Sequence, residues 1–89
     1  MRLYRPFVRG RVPAGSIVVR LYLSGGEVRG FIRETAADEA DETIFPSEEM
    51  EPEVAFRLAE NKLATPGGPI FIELTDGVEW DANWGRLEQ

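Results

Sequence analysis

The sequence predicts a small α+β domain in which one helix packs on one face of a mostly antiparallel sheet of four to five strands. Three observations predict this fold: a β-rich run on each side of Gly25-Gly26, a helical run that begins at Pro52, and a second β-rich run from Ile70. The expected element order is β-β-β-α-β-β, with the helix covering one side of the sheet. The 89 residues, of which 43% are hydrophobic, are enough for one core, so residues 1–89 form a single domain.

Residues 16–33 form the predicted central hairpin, with Gly25-Gly26 as a two-residue loop. In that register, residues that lie opposite each other share a face, so the hairpin divides into two sides. The core side carries Val19, Leu21, Leu23, Val28 and Ile32. The other side carries Val18, Arg20, Tyr22, Arg29, Phe31 and Arg33, and we expect it to tolerate water.

A first strand is predicted over Leu3–Arg9. Pro6 has no backbone N–H, so this strand should be an edge strand or a bulged one. The sequence leaves open which side of it faces the core. Residues 10–15 are predicted to be a turn that could join this strand to the central hairpin as a wide hairpin. Residues 34–43 are rich in Asp and Glu and are predicted to form a flexible acidic loop; they lack the Gly and the ligand spacing of a calcium loop.

The main helix is predicted to run from Pro52 to Ala64. Pro is favoured at the first helical position, and the Pro/Gly-rich residues 65–69 end the helix. Ala55 and Ala59 lie in the middle of its apolar stripe, which would let the helix backbone approach the sheet closely. The short segment 46–49 before it is predicted to form a separate helical turn, capped by Ser47.

A second hairpin is predicted over residues 70–82, with Thr75–Gly77 as a three-residue loop and Leu74 opposite Val78. We prefer this register because the alternative two-residue loop would bury Asp81 without a partner, at a cost of several kcal/mol. Residues 85–89 are predicted to be a fraying tail.

Composition excludes several classes of function. The chain has no Cys and no His, so disulfides, thiolate metal sites and imidazole catalysis are excluded, and no cofactor or metal is indicated. We therefore expect a non-enzymatic protein. No apolar run long enough for a secretory signal or a membrane span is present, so a cytoplasmic protein is the default expectation.

The net charge of −6 is distributed unevenly along the chain. Residues 1–33 hold seven Arg and one acid, residues 34–53 hold nine acids and no base, and residues 54–89 hold three bases and six acids. We expect the basic and acidic thirds to lie against each other in the fold, because a small domain cannot keep such charges far apart.

Two surfaces are candidates for binding. The Arg/aromatic face, defined as Arg20, Tyr22, Arg29, Phe31 and Arg33, has the residue types that hold single-stranded nucleic acid, although cross-strand cation–π packing is the simpler interpretation. The acidic interaction face is defined as Glu73, Glu79 and Asp81. Like charges that face each other are destabilising unless a cation answers them. An Arg of the central hairpin could do so, either within the same sheet or from another subunit.

The leading functional hypothesis is a small acidic soluble protein that acts through protein–protein contact, as an adaptor or regulatory module, with a homodimer as one form of that contact. The alternative is a nucleic-acid-binding module that uses the Arg/aromatic face. A third class is an acidic mimic that binds a basic partner through the acidic segment. We recognise no motif of a known family in the sequence.

Overall fold

A computed structural model of the chain describes residues 3–8, 11–35, 43–63, 68–75 and 77–88, and for residues 43–48 it describes the backbone alone. The strands are β1 (Leu3–Pro6), β2 (Ile17–Ser24), β3 (Glu27–Glu34), β4 (Thr43–Met50), β5 (Ile70–Leu74) and β6 (Arg86–Leu87). The helix α1 spans Pro52–Lys62, and a 3₁₀ turn spans Ala82–Trp84. The predicted acidic loop lies mostly at residues 36–42, outside the described residues.

The strands form one six-stranded sheet in the order β4-β3-β2-β5-β1-β6. The β2/β3 and β3/β4 pairs are antiparallel, whereas β5 runs parallel to both β2 and β1, and β1 runs parallel to β6. The predicted α+β class with one helix on a sheet is confirmed. The strand count and the strand order differ from the prediction, because the sheet is mixed and has six strands.

The central hairpin has the predicted register. Ser24 lies opposite Glu27, Leu23 opposite Val28, and the pairing continues to Ile17 opposite Glu34. Gly25 and Gly26 both have positive φ, at 61° and 84°, which is the loop geometry that favours glycine. A local pattern of alternation and a tight turn therefore determined this part of the sheet.

The helix begins at Pro52, as predicted, and its last residue is Lys62, while the predicted end at Ala64 lies outside the described residues. Ala55 and Ala59 are fully buried, and α1 packs on β2 and β3. A Cβ on Gly30 of β3 would lie 3.7 Å from the Ala55 Cβ. Small residues on both elements thus allow the close approach between helix and sheet that the alanine stripe predicts.

The core between the helix and the sheet contains most of the predicted side chains. Buried there are Val19, Leu21, Ile32, Ile70, Ile72 and Val78. Leu23 was predicted to be buried and is 48% exposed. It lies one residue before the end of β2 and next to Gly77, where a Cβ would come within 2.8 Å of the Leu23 Cδ1. On this side of the hairpin, the fully buried core therefore ends at the Leu21/Gly30 pair.

The predicted helical turn at residues 46–49 is wrong, because this segment belongs to β4. β4 pairs with β3 through a bulge: Ile32 lies opposite Phe45 and Gly30 lies opposite Met50. β4 is an edge strand, and Pro is tolerated at such a position because its missing N–H is not needed for a ladder. The strand was not predicted because Pro46 argues against one, although the other residues of the segment are able to form it.

The predicted second hairpin is also wrong. Residues 78–80 form no strand, and β5 instead lies between β2 and β1, with Ile70 beside Ile17 and Ile72 beside Val19. The pairing of β5 with β2 continues to Thr75, whose backbone N–H donates to the Leu21 carbonyl at 3.1 Å. β5 is apolar at four of its five positions, which is typical of a strand that lies between two parallel neighbours, and β5 occupies such a position.

β1 is not an edge strand, since it pairs with β5 on one side and β6 on the other, and it ends at Pro6. The predicted wide hairpin between β1 and β2 is absent, because β5 separates them. Of the two sides left open, the Tyr4 side faces the core: Tyr4 is 3% exposed, whereas Leu3 is 48% exposed. The predicted tail contains β6, whose residue Leu87 pairs with Tyr4.

Four aromatic rings close the end of the core between α1 and β1. The ring centroids of Tyr4 and Phe56 are 5.1 Å apart, those of Phe56 and Trp84 are 5.7 Å apart, and those of Trp80 and Trp84 are 5.2 Å apart. Trp80 of this cluster belongs to the segment predicted to form the second strand of a hairpin. No helix in the described part of the chain is long and apolar enough to cross a membrane.

Candidate interaction face

The side of the sheet opposite α1, which we call the helix-free face, carries the predicted Arg/aromatic residues. The β2/β3 register places Tyr22 beside Arg29 and Arg20 beside Phe31. Tyr22, Arg29 and Phe31 are half-buried and Arg20 is exposed. The structure therefore brings four of the five predicted residues together on an accessible surface.

An aromatic pair forms the centre of this face. The ring centroids of Tyr22 and Phe31 are 6.0 Å apart at an interplanar angle of 54°. The Arg20 Cζ lies 5.9 Å from the Phe31 centroid, within cation–π range. Rings and a guanidinium group on a flat surface provide a large contact area with few rotatable bonds, which suits binding of either a protein or a nucleobase.

Arg33 was predicted to be part of the water-tolerant side, and it is buried, with 8% of the residue exposed. Its guanidinium Cζ lies 4.6 Å from the centroid of the Phe7 ring, and its Nη2 donates to the Glu73 Oε1 at 3.0 Å. Val18, opposite Arg33 and beside Phe71, is fully buried on this same side. Arg33 therefore belongs to a small second core and lends no exposed charge to the helix-free face.

Glu73 is the acid that forms ion pairs with arginines of the central hairpin. Besides the bond from Arg33, its Oε1 lies 3.9 Å from the Arg20 Nε. Of the two arrangements that are compatible with the sequence, an Arg within the same sheet is the one observed. The basic first third of the chain meets acids from later segments here, at Arg29–Glu49 and at Arg5–Glu88.

The acidic interaction face is not formed as predicted, because Glu79 does not lie on a strand opposite Glu73. Glu79 is exposed in the segment that follows β5. Asp81 caps the 3₁₀ turn, where its Oδ1 accepts from the Asn83 backbone N–H at 2.8 Å. The three carboxylates therefore have separate surroundings, and only Glu73 lies on the helix-free face.

Glu49 was not identified from the sequence, yet it joins β4 to the helix-free face. The Tyr22 hydroxyl donates to the Glu49 Oε2 at 2.7 Å, and the Arg29 Nε lies 3.9 Å from the Glu49 Oε1. Burial raises the pKa of Tyr22 above its ordinary 10.0, and the hydrogen bond to Glu49 and the charge of that carboxylate raise it further. Tyr22 is therefore neutral and acts as a hydrogen-bond donor at physiological pH.

Two further aromatic residues, Phe7 and Phe71, lie half-buried on this face and were also not identified as site residues. Alternation along β5 could have placed Phe71, since it shares a side with Glu73. The position of Phe7 could not be predicted, because the register of β1 against β5 is a long-range pairing. Glu49 was not identified for a similar reason, because strand β4 was not predicted and its pairing with β3 is not readable from the sequence.

The arrangement of rings and paired charges on this face suits contact with another molecule. Around the Tyr22–Phe31 pair, Arg20, Arg29 and the buried Arg33 together with Glu49 and Glu73 carry a formal charge of +1, in a chain of −6. Among the described residues no group of three or more acids, cysteines or histidines could hold a metal ion. Comparison with protein-family models, with curated proteins and with solved structures found no match for this chain.

Proposed function

We propose that this chain is a non-enzymatic protein–protein interaction module, and that its helix-free face contacts a second copy of the chain. The observation that carries the proposal is the half-buried Tyr22–Phe31 pair, which lies beside Arg20 and Arg29. These arginines already form ion pairs with Glu73 and Glu49. Tyr and Arg are the residue types most enriched at the energetic centres of interfaces. Paired charges also cost less to desolvate than single ones, so such a face is suited to burial.

Charge supports a second copy as the occupant. The whole chain carries −6, so most of its surface repels another copy, whereas the helix-free face has nearly balanced charge. In a face-to-face pair, the Arg20–Glu73 pairs of the two copies are able to exchange partners across the interface. Repulsion between copies is therefore weakest at this face.

The size of the face sets the expected strength. Strands of up to eight residues and five spacings between neighbours give a sheet area of at most roughly 600 Å², from about 3.3 Å per residue and 4.8 Å per spacing. Two such faces bury about 1,200 Å² in total, which is the lower limit for specific interfaces. We therefore expect a weak dimer, with dissociation in the micromolar to millimolar range.

Sedimentation equilibrium from about 10 µM to 1 mM at low salt tests the proposal. We expect the mean mass to rise from 10.0 kDa towards twice that value. Phe31→Ser should weaken association at least about tenfold, because it removes a ring from the centre of the contact. Val54→Ser is the matched control, since Val54 is an exposed apolar residue on the helix.

A measurement on the unsubstituted protein tests the proposal even if Phe31→Ser impairs folding. Amide and side-chain NMR signals of Arg20, Tyr22 and Phe31 should shift with protein concentration, while signals from the exposed side of α1 should not. A mass of 10.0 kDa over the whole concentration range, or shifts confined to the helix, would overturn the proposal.

Nucleic-acid binding is the second candidate, favoured by the position of Arg20 beside the Phe31 ring. It is weaker because a phosphate must compete with Glu73 and Glu49 for the same guanidinium groups. Titration of a fluorescent oligothymidine with increasing salt separates the two candidates. A steep loss of binding with salt that vanishes in the double variant Arg20→Ala, Arg29→Ala favours nucleic acid.

A further inference from the structure

A cleft lies at the opposite end of the sheet, beside the edge strand β6. It has a volume of about 300 Å³ and is lined by Trp80, Ala82, Gly85, Arg86 and Leu87. This volume is at the lower end of the range of about 300–1,000 Å³ for ligand pockets, so the cleft suits one or two side chains of a peptide. Its walls are mostly apolar, and Arg86, which pairs with Leu3, lies at the outer edge of the helix-free face.

One wall of the cleft is the Trp80 indole ring, which other residues hold in place. The Trp80 Nε1 donates to the Gly85 carbonyl at 3.0 Å. The Trp80 ring also packs against Tyr4 and Trp84, with centroid distances of 5.5 and 5.2 Å. Because these contacts set the position of the ring, an apolar group can enter the cleft without paying for a rearrangement of the wall.

The edge of the sheet offers main-chain hydrogen bonds next to this cleft. β6 is the last strand of the sheet and pairs with β1 on its inner side. The Glu88 N–H donates to the Tyr4 carbonyl at 2.8 Å, so the alternation along a strand turns the N–H and carbonyl of Leu87 away from β1. Outward main-chain groups of this kind are able to pair with an added strand.

Arg86 gives the cleft a positive charge. It is exposed, and within the described part of the chain it takes part in no ion pair, in contrast to Arg20, Arg29 and Arg33. A carboxylate beside the apolar group of a ligand would complement this charge.

We propose that the edge of β6 and the Trp80 cleft bind an extended peptide segment in which a large apolar residue is next to a carboxylate. The peptide backbone pairs with the outward groups of Leu87, the apolar side chain enters the cleft against Trp80, and the carboxylate meets Arg86. Main-chain pairing supplies the orientation, and the cleft and the charge supply the selectivity. Of this site, Arg86 adjoins the helix-free face, and the site does not use the Tyr22–Phe31 pair on which the proposed contact between copies is centred.

NMR titration of the whole chain with a capped probe peptide, acetyl-Ser-Val-Leu-Asp-Val-Ser-amide, tests the proposal. We expect saturable shifts of the Trp80 indole N–H and the Leu87 amide. Replacing the probe's Leu by Ser should abolish binding. Replacing its Asp by Lys, or changing Arg86→Glu in the protein, should each weaken binding about fivefold, the size of one exposed ion pair.

A charge exchange and two controls complete the design. Arg86→Glu combined with the Lys probe should recover most of the affinity, which a merely structural role of Arg86 would not produce. Arg57→Glu, a matched change on the exposed side of α1, and Phe31→Ser on the helix-free face should leave probe binding unchanged. No saturable shift, equal binding of the Ser probe, or equal binding by Arg86→Glu would each overturn the proposal.

Discussion

Replacing Glu73 by Gln tests how much the ion pair on the helix-free face stabilises the fold. The change removes the negative charge that answers Arg33 at 3.0 Å and Arg20 at 3.9 Å, while it keeps the volume of the side chain and one acceptor oxygen. The Arg33 side chain is 9% exposed, so its charge has little access to water when the carboxylate is lost. We therefore expect a lower free energy of unfolding.

The size of the effect follows from the burial of the two partners. Breaking a fully buried ion pair by removing one charge costs about 3–5 kcal/mol. Glu73 is 26% exposed and Gln still accepts a hydrogen bond, so water and the amide recover part of this cost. We expect a loss of about 2 kcal/mol, out of about 4–13 kcal/mol for a domain of this length. The melting temperature should fall by about 8–16 °C.

Urea unfolding followed by circular dichroism measures this loss. Glu79→Gln is the matched control, because Glu79 is exposed and lies outside the ion pair, and it should change stability by less than about 0.5 kcal/mol. In a double-mutant cycle with Arg33→Met, the two sites should be coupled by about 1–3 kcal/mol. If Glu73→Gln is no more destabilising than Glu79→Gln, the pair is not effectively buried and the reasoning is refuted.

Three further changes test other parts of the fold. Gly30→Ala should cost about 1–3 kcal/mol in urea unfolding, because the new Cβ would lie 2.8 Å from the Leu21 Cδ2 in a filled core, and a neutral result would contradict this packing. The pKa of Tyr22 is higher in the folded than in the unfolded chain, so the stability that Tyr22 contributes is complete below about pH 10 and is lost as pH rises through the folded pKa. When unfolding is compared at about pH 8 and 11, Tyr22→Phe should not show this loss. Asp81→Ala should cost about 0.5–1 kcal/mol and reduce the near-ultraviolet dichroism of the tryptophans, because it removes the acceptor for the Asn83 N–H.

The sequence by itself determined the parts of this protein that depend on neighbours along the chain. Alternation on both sides of Gly25-Gly26 set the register of the β2/β3 hairpin, and with it the common face of Arg20, Tyr22 and Phe31. Pro52 and the alanine stripe determined where the helix begins and which of its sides meets the sheet. Each of these features follows from backbone geometry and a periodic pattern within a few residues.

The tertiary structure alone decided which strands pair across long distances. The apolar pattern of Ile70–Leu74 is compatible with a hairpin partner and with a buried parallel position, and only the assembled sheet places it between β2 and β1. The same assembly carries Glu73 to Arg33 and sets the Arg33 guanidinium against Phe7. Pairing between distant segments depends on the packing energy of the whole core, and no local pattern in the chain encodes it.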